Sequence, residues 1–263
     1  MKLDRWARPS RHGSRVGSPC TRQNGAVGSS EPSLRSAWDA NATDWVRWAR
    51  SPELDHAFWR LNLPALLAIL PSPGRLALDV GCGEGRVARA LKERGYRVIG
   101  IESSEALAGA AREADPTFVV ESADAAEMPF PTGHFDLAVA SLSLMNMDDM
   151  PGVIAEIARV LEPAGHCCLS VLHPFNTWRD ARESYFETVR YSETLRRGDA
   201  QLTVHDTHRP LHEYFGCLRE AGFLVEQIVE PVPTDAYLHE VPQAAHWRDR
   251  PGFLHVRAVL SRA

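Results

Sequence analysis

From Arg75 onward this 263-residue chain predicts a doubly wound α/β domain built on a mainly parallel sheet. Three observations carry the prediction. Short apolar runs, "RLALDV", "RVIGI", "FVVE", "FDLAVAS" and "HCCLSVL", alternate with helical or crossover segments between residues 75 and 172. The first run enters a glycine-rich turn, Gly81-Cys82-Gly83-Glu84-Gly85, that opens onto a helical pattern. The connections are long enough for right-handed crossovers between parallel strands.

Taken in order, residues 1–35 come first. They are rich in Ser, Gly and Arg and show little apolar periodicity. Such a composition cannot bury enough surface to order itself, so a disordered basic extension is expected. It also lacks the apolar stretch of a secretory signal. Order is expected from residue 36, making 36–263 a single domain. The segment 36–70 carries Trp38, Trp45, Trp48 and Trp59, with Ser36 and Asp44 as helix-start signals. The tryptophans read either as packing against the body or as an aromatic lid over a cofactor.

"RLALDV" reads as a buried strand and "GRVARALKERG" as a helix closed by Gly95. "RVIGI" is a strand, "EALAGAARE" a helix and "FVVE" a short strand. "FDLAVAS" is a strand. "MPGVIAEIARVLEPAG" reads as a helix, with Pro151 in its first turn and Gly165 past its end. "HCCLSVL" is the fifth strand.

The rhythm then breaks over residues 174–209, where "SYFETVRYSETL" and "AQLTVHDTH" look like a hairpin joined across "RRGD". An insertion of this length after a strand's carboxyl end predicts an inserted substrate cap. Its Trp178, Tyr185, Phe186 and Tyr191 could close over a small acceptor, or pack the hairpin and a dimer contact. "PLHEYFGCLREAG" is a helix, and "FLVEQIVEP" and "FLHVRAVLS" are strands.

The net charge of −5 is uneven, about +5 over residues 1–35 and −10 over the rest. An acidic body disfavours a polyanionic partner such as nucleic acid. No apolar run approaches the ~20 residues of a membrane span, so no membrane partner is expected. Cys20, Cys82, Cys167, Cys168 and Cys217 form no CxxC pair and read as reduced thiols of a cytoplasmic protein.

A glycine turn between strand and helix lets backbone approach a ligand closely, beside the positive end of the helix. Dinucleotides and adenosyl cofactors both use this device. The dinucleotide pattern G-x-G-x-x-G fits poorly, because the third glycine comes one position early and Arg86 stands where glycine is wanted. Glu84 is also a poor neighbour for a pyrophosphate, though tolerable near a cation. Glu102 lies 21 positions after Gly81, at the end of the second strand, where an acid can bind both ribose hydroxyls.

With these residues in view, the chain resembles the class I S-adenosylmethionine-dependent methyltransferases, of the small-molecule type. "LDVGCGEG" resembles their glycine motif and "VIGIE" their second motif. "ESADAAEMPFPTGHFDLAVASLSLMNMDD" resembles their third and fourth, and "IARVLEPAGHCCLSV" the helix and strand that follow. The resemblance implies a Rossmann-like seven-stranded sheet with the last strand antiparallel, and S-adenosyl-L-methionine as cofactor.

Residue by residue, it implies that Asp79 orders the glycine loop near the methionine part of the cofactor. Gly81, Cys82, Gly83 and Gly85 carry the backbone past it. Glu102 holds the ribose and Ser103 flanks the adenine. Asp124 and Ala125 meet the adenine edge, and Ser141 lies by the amino-acid end. The implied reaction is in-line methyl transfer to a small organic acceptor, at oxygen or nitrogen. Proximity and orientation supply most of the rate, and a base is needed only where the acceptor has a proton to lose.

His173, just after the fifth strand in "SVLHPF", is the candidate base. Its competing reading is a histidine bonded to a local carbonyl. His208 and His212 have metal-like i, i+4 spacing, but Arg209 and Pro210 intervene, so no metal is expected. His208 or Arg209 could instead form pocket wall. The fourth strand's end, "SLSLMNMDD", lacks the Asn/Asp-Pro-Pro-aromatic signature of nucleobase amino-methylation. Three alternatives stay open: an RNA methyltransferase using the basic tail, a non-catalytic S-adenosylmethionine-binding protein, and a nicotinamide oxidoreductase.

Overall fold

The computed structural model describes residues 33–181 and 184–261, with the side chains of 179–181 left aside. The expected basic extension falls outside these residues except at its end. Ser33 accepts a hydrogen bond from Ser36 N–H and caps helix α1 (Leu34–Ala40), whose Leu34 is buried. Helix α2 (Ala42–Ala49) follows at once. A π-helical turn, Phe58–Asn62, then runs directly into α3 (Leu63–Ile69), with Pro64 in its first turn, where a missing N–H costs nothing.

The alternating region gives β1 (Ala77–Val80), α4 (Arg86–Glu93), β2 (Val98–Glu102), α5 (Glu105–Ala114), β3 (Val119–Ser122), β4 (Phe135–Ser141), α6 (Met150–Val160) and β5 (Leu161–Leu172). The inserted segment forms α7 (Pro174–Ala181) and a two-stranded hairpin of β6 (Val189–Arg197) and β7 (Ala200–His208). The chain closes with α8 (Leu211–Glu220), β8 (Phe223–Val229), α9 (Asp235–Glu240), a 3-10 turn Pro242–Arg248, and β9 (Phe253–Leu260).

The main sheet has seven strands in the order β3-β2-β1-β4-β5-β9-β8. All pairings are parallel except those of β9, which runs antiparallel to both β5 and β8. This is the doubly wound, Rossmann-like arrangement with an antiparallel last strand that the sequence implied. β1 is buried along its whole length, as a central strand of a covered sheet must be. On one face Ala77, Leu137, Val139 and Cys168 pack against Phe58, Leu66, Ile69, Val87 and Leu91. On the other, Leu78, Val80, Ala138, Leu169 and Val171 pack against Ile154, Ile157, Tyr214 and Leu218.

Two boundaries differ from the sequence reading. The helix expected to run to Gly165 stops at Val160, and β5 begins at the next residue. Pro163 disfavours helical backbone at Glu162 and removes a donor, so "LEPAG" becomes an irregular lead-in to the strand, with a register shift against β4. The first hairpin strand starts at Val189 rather than Ser184, and the turn falls at Gly198-Asp199. Cysteine usage also differs: Cys82, Cys167 and Cys168 are free and buried, whereas Cys217 is disulfide-bonded.

Candidate active site

A cavity opens at the carboxyl ends of β1, β2 and β4, where ligands of such sheets bind. Its floor is the turn after β1. Gly81, Gly83 and Gly85 all hold positive φ (+66°, +56° and +85°), a left-handed conformation that side chains resist. Gly81 also has no room for a Cβ, which would stand 2.7 Å from Ser143 Cβ and 2.8 Å from Met147 Cε. The Cys82 thiol turns away from the ligand side and packs on Gly100, where a Cβ would lie 2.7 Å from Sγ.

Asp79 explains how the turn is held. Gly85 is the N-cap of α4 but has no side chain to cap with. Asp79 does this work from the strand, accepting the backbone N–H of Ala88 in the first turn of α4. Its Oδ2 is buried and takes no donor among the described residues. Burial, reinforced by the charge of Glu102, pushes its pKa up to about 7. An acid left in this state is stabilised by a cationic ligand.

Glu102, at the end of β2, accepts Gly83 N–H at 2.9 Å through Oε2 and Ser104 N–H at 2.9 Å through Oε1. Each carboxylate oxygen keeps a second lone pair for a ligand hydroxyl. Burial raises its pKa against these backbone donors. Ser103, Asp124 and Ala125 line the same end of the cavity, and Asp124 Oδ1 is steadied by Ala126 N–H at 2.9 Å. Ser141 lines the cavity from the end of β4. Among the sequence-derived cofactor residues, Asp79, Gly81, Cys82, Gly83, Glu102, Ser103, Asp124, Ala125 and Ser141 therefore share one cavity. Gly85 caps the helix behind it.

Glu84 is not the open acid that its place in the loop suggested. Its fully buried carboxylate is neutralised by Arg50 Nε and Arg89, each at 2.8 Å. The acids that line the cavity beside Glu84 are Asp79, Glu102 and Asp124, while on the far rim Asp148 is paired with Arg190 and Asp149 caps α6.

His173 does not line this cavity, which corrects its expected place there. Its Nδ1 accepts Phe175 N–H at 3.1 Å, so the ring proton belongs on Nε2, which meets Glu230 Oε1 at 2.9 Å. Both nitrogens are engaged and the ring is buried. Burial lowers its pKa, opposed by Glu230.

His208 lies between Thr177 Oγ1 at 2.8 Å and the Tyr185 carbonyl at 3.0 Å. Arg209 donates to the Met147 carbonyl at 2.9 Å. Among the described residues no group of three or more His, Cys, Asp or Glu could hold a metal ion, and no helix is long and apolar enough to cross a membrane.

Several cavity residues escaped the sequence reading. Arg35 lines it from α1. After β4 the chain turns through Leu142 at φ +50°, an unusual conformation for leucine, and enters a 3-10 turn, Leu144–Asn146. Ser143 Oγ locks this turn to the Val80 carbonyl at 2.7 Å. Asn146 lines the cavity and is fixed from behind by the hairpin, its Nδ2 donating to the His205 carbonyl at 2.9 Å and to Asp206 Oδ1. Both acceptors demand the amide nitrogen, so the orientation is settled. No donor among the described residues reaches Asn146 Oδ1. Asp206 is buried, and burial pushes its pKa up to about 6.

The tryptophans divide. Trp38 and Trp45 line the cavity edge to face (5.3 Å between rings). Trp48 packs on Ala200 and Leu202 of the hairpin, and Trp59 donates to the Ala49 carbonyl. Trp38 Nε1 donates to the His205 carbonyl at 3.2 Å, and Asn41 to that of Thr203, so α1 and the hairpin form one cover. Of the cap aromatics, Tyr191 bonds Asp206 behind Asn146, while Tyr185 gathers Phe175, Trp178 and Phe186 into a separate cluster whose Phe186 is 74% exposed.

Comparison with known proteins agrees with this geometry. Residues 78–169, from β1 through most of β5, match the family model described as a methyltransferase domain. The chain is 30% identical to an S-adenosylmethionine-dependent methyltransferase of known structure from Mesorhizobium loti, over 77% of this chain and 97% of that one, with a TM-score of 0.61. It is 40% identical over 108 residues to nocamycin O-methyltransferase from Saccharothrix syringae, covering 38% of this chain and 39% of that protein. It is 38% identical over 144 residues to 27-O-demethylrifamycin SV methyltransferase from Amycolatopsis mediterranei, covering 52% and 53%. The chain thus spans about two fifths to one half of the curated relatives it matches. With a structural relative covered almost end to end, and the glycine turn, Glu102 at the end of β2 and the seven-stranded sheet in place, this chain belongs to the class I S-adenosylmethionine-dependent methyltransferases.

Proposed function

We propose that the protein transfers a methyl group from S-adenosyl-L-methionine to an oxygen or nitrogen of a small organic acceptor. The observation that carries this reading is the buried carboxylate of Asp79, whose Oδ2 has no partner among the described residues, beside Glu102 in the same cavity. Arg86, which also lines the cavity, is held by Asp55 at 2.6 Å and covered by the Phe58 ring. The residues fit an adenosyl sulfonium. Glu102 would hold the ribose, Asp124 and Ala125 the adenine edge, and Asp79 with the glycine turn the methionine part.

Bound there, the cofactor supplies an electrophilic methyl group. The protein's part is to orient the acceptor and exclude water. Trp38 and Trp45 supply a dry wall. Asn146 offers a fixed amide oxygen, which favours an acceptor that presents an O–H or N–H. Asp206 behind it draws on the amide hydrogens and increases the electron density on Oδ1. The relatives named for methyl transfer to nocamycin and to 27-O-demethylrifamycin SV support the same class.

The test is transfer of label from methyl-labelled cofactor by the full chain, across panels of phenols, enols and amines and a bulk RNA control. Methylation of a small acceptor, with RNA unlabelled, is expected. Label in RNA alone, or none anywhere, would contradict the proposal.

A further inference from the structure

On the sheet face beneath α3, three uncharged polar residues stand side by side on neighbouring strands: Ser141 of β4 pairs with Ser170 of β5, and Ser170 with His255 of β9. Asn62, the last residue of the π-helical turn, comes down onto them. Ser141 and Ser170 hydroxyls are 3.1 Å apart, Ser170 donates to Asn62 Oδ1 at 3.5 Å, and His255 Nε2 meets the Asn62 carbonyl at 3.2 Å. Asn62, Ser170 and His255 have no exposed surface. Burial pushes the His255 pKa down to about 4, which leaves the ring neutral with Nε2–H to donate.

Such a row is costly. Asn62 Nδ2 has no partner among the described residues, and a buried unpaired polar atom costs about 1–3 kcal/mol. Apolar residues would serve a purely structural face better. The π-helical turn is a second departure from the local rule, and such turns often mark functional sites. One end of the row reaches the cavity, because Ser141 lines it.

The strand order says what meets Ser141. Glu102 and Asp124 lie at the ends of β2 and after β3, and β1 with the glycine turn separates them from β4. Neighbouring strands are about 4.8 Å apart, so a ligand with its ribose at Glu102 reaches β4 about 10 Å further on. For an adenosyl amino acid that is the amino-acid end. We infer that Asn62, Ser170 and His255 are positioning residues that set the Ser141 hydroxyl to receive the charged amino group of the cofactor.

Ser170 gives its proton to Asn62 Oδ1, so its lone pairs receive the Ser141 hydroxyl hydrogen. Ser141 is left with lone pairs toward the cavity. His255 holds the Asn62 backbone and fixes the far end of the chain.

The inference rests on the cofactor reading above, and one titration separates the two. Calorimetry on the full chain uses S-adenosylhomocysteine and 5′-methylthioadenosine, which share the adenosine and differ in the amino-acid end. Ser170→Ala removes one atom and leaves the core volume intact. It is expected to weaken S-adenosylhomocysteine about tenfold and leave 5′-methylthioadenosine within twofold. In a Ser141→Ala background the same change is expected to add nothing, since Ser170 acts through Ser141. Equal loss for both ligands, no loss for either, or full additivity with Ser141→Ala would overturn the positioning role. Wild-type protein that binds neither ligand would overturn the cofactor reading itself.

Discussion

The two halves of the cavity are built in opposite ways. On the cofactor side, Asp79 to Glu102 is a single βαβ unit of neighbouring residues, and backbone geometry holds its groups. Three left-handed glycines shape the turn, Asp79 caps α4 and Glu102 ties down Gly83. On the acceptor side nothing is local. Asn146 is fixed by His205 and Asp206, about sixty residues away, and Trp38 by the same hairpin across 167 positions. The first half is a mechanical unit whose left-handed turn leaves few residue types possible. The second half is assembled by tertiary contacts that another insertion could replace, which is why acceptor choice is proposed to reside there.

Substitutions should divide the two halves. The largest effect is expected at Gly81→Val. It combines φ +66° with a Cβ inside contact distance of Ser143 and Met147, and should lower S-adenosylhomocysteine affinity more than a hundredfold by calorimetry. Gly83→Ala meets only Trp45 Nε1 at 3.5 Å, so it should pay the left-handed cost alone, roughly tenfold. Similar losses at both positions would mean that strain, rather than the Ser143 contact, limits the turn.

Asn146→Ala should reduce kcat/KM for a methylated acceptor about tenfold, with S-adenosylhomocysteine affinity unchanged within twofold. A matching fall in cofactor affinity would break the division between halves.

The smallest effect concerns pH. The Asp79 pKa is raised from the unfolded value of about 4 to about 7, so between these limits the folded state holds a proton that the unfolded state releases. The stability this gives is complete below about pH 4 and is lost as pH rises through 7. Asp79→Asn should therefore flatten the melting temperature of the ligand-free protein across that window, by a few degrees, while weakening the cofactor.

Sequence legibility follows the same division. The glycine turn and the place of Glu102 at the end of β2 were readable because each depends on local backbone and fixed spacing, whereas Asp124 came only from the family resemblance. The seven-strand sheet with its antiparallel last strand followed from the family resemblance and the final two apolar runs, whereas the order of the strands came from the structure. His173 misled because its position after β5 suits a ligand contact, whereas its partner Glu230 lies 57 residues on, past α8 and β8. The cap aromatics divide: Trp178, Tyr185 and Phe186 precede the hairpin and cluster together, whereas Tyr191 on the hairpin bonds Asp206 behind Asn146. Asn146 carried no local signal at all, since an asparagine in "LMNMDD" reads as turn. Asn62 was hidden within an apolar helical stretch whose π-turn no periodicity announces.

The central claim is that the Asp79–Glu102 unit binds an adenosyl amino acid. The most direct test is calorimetric titration of the full chain and its Glu102→Ala variant with S-adenosylhomocysteine and with NAD. Micromolar binding of S-adenosylhomocysteine by the wild type, weakened about a hundredfold in the variant and with NAD inert, is the predicted result. Binding of NAD in preference, or S-adenosylhomocysteine affinity indifferent to Glu102, would contradict the account.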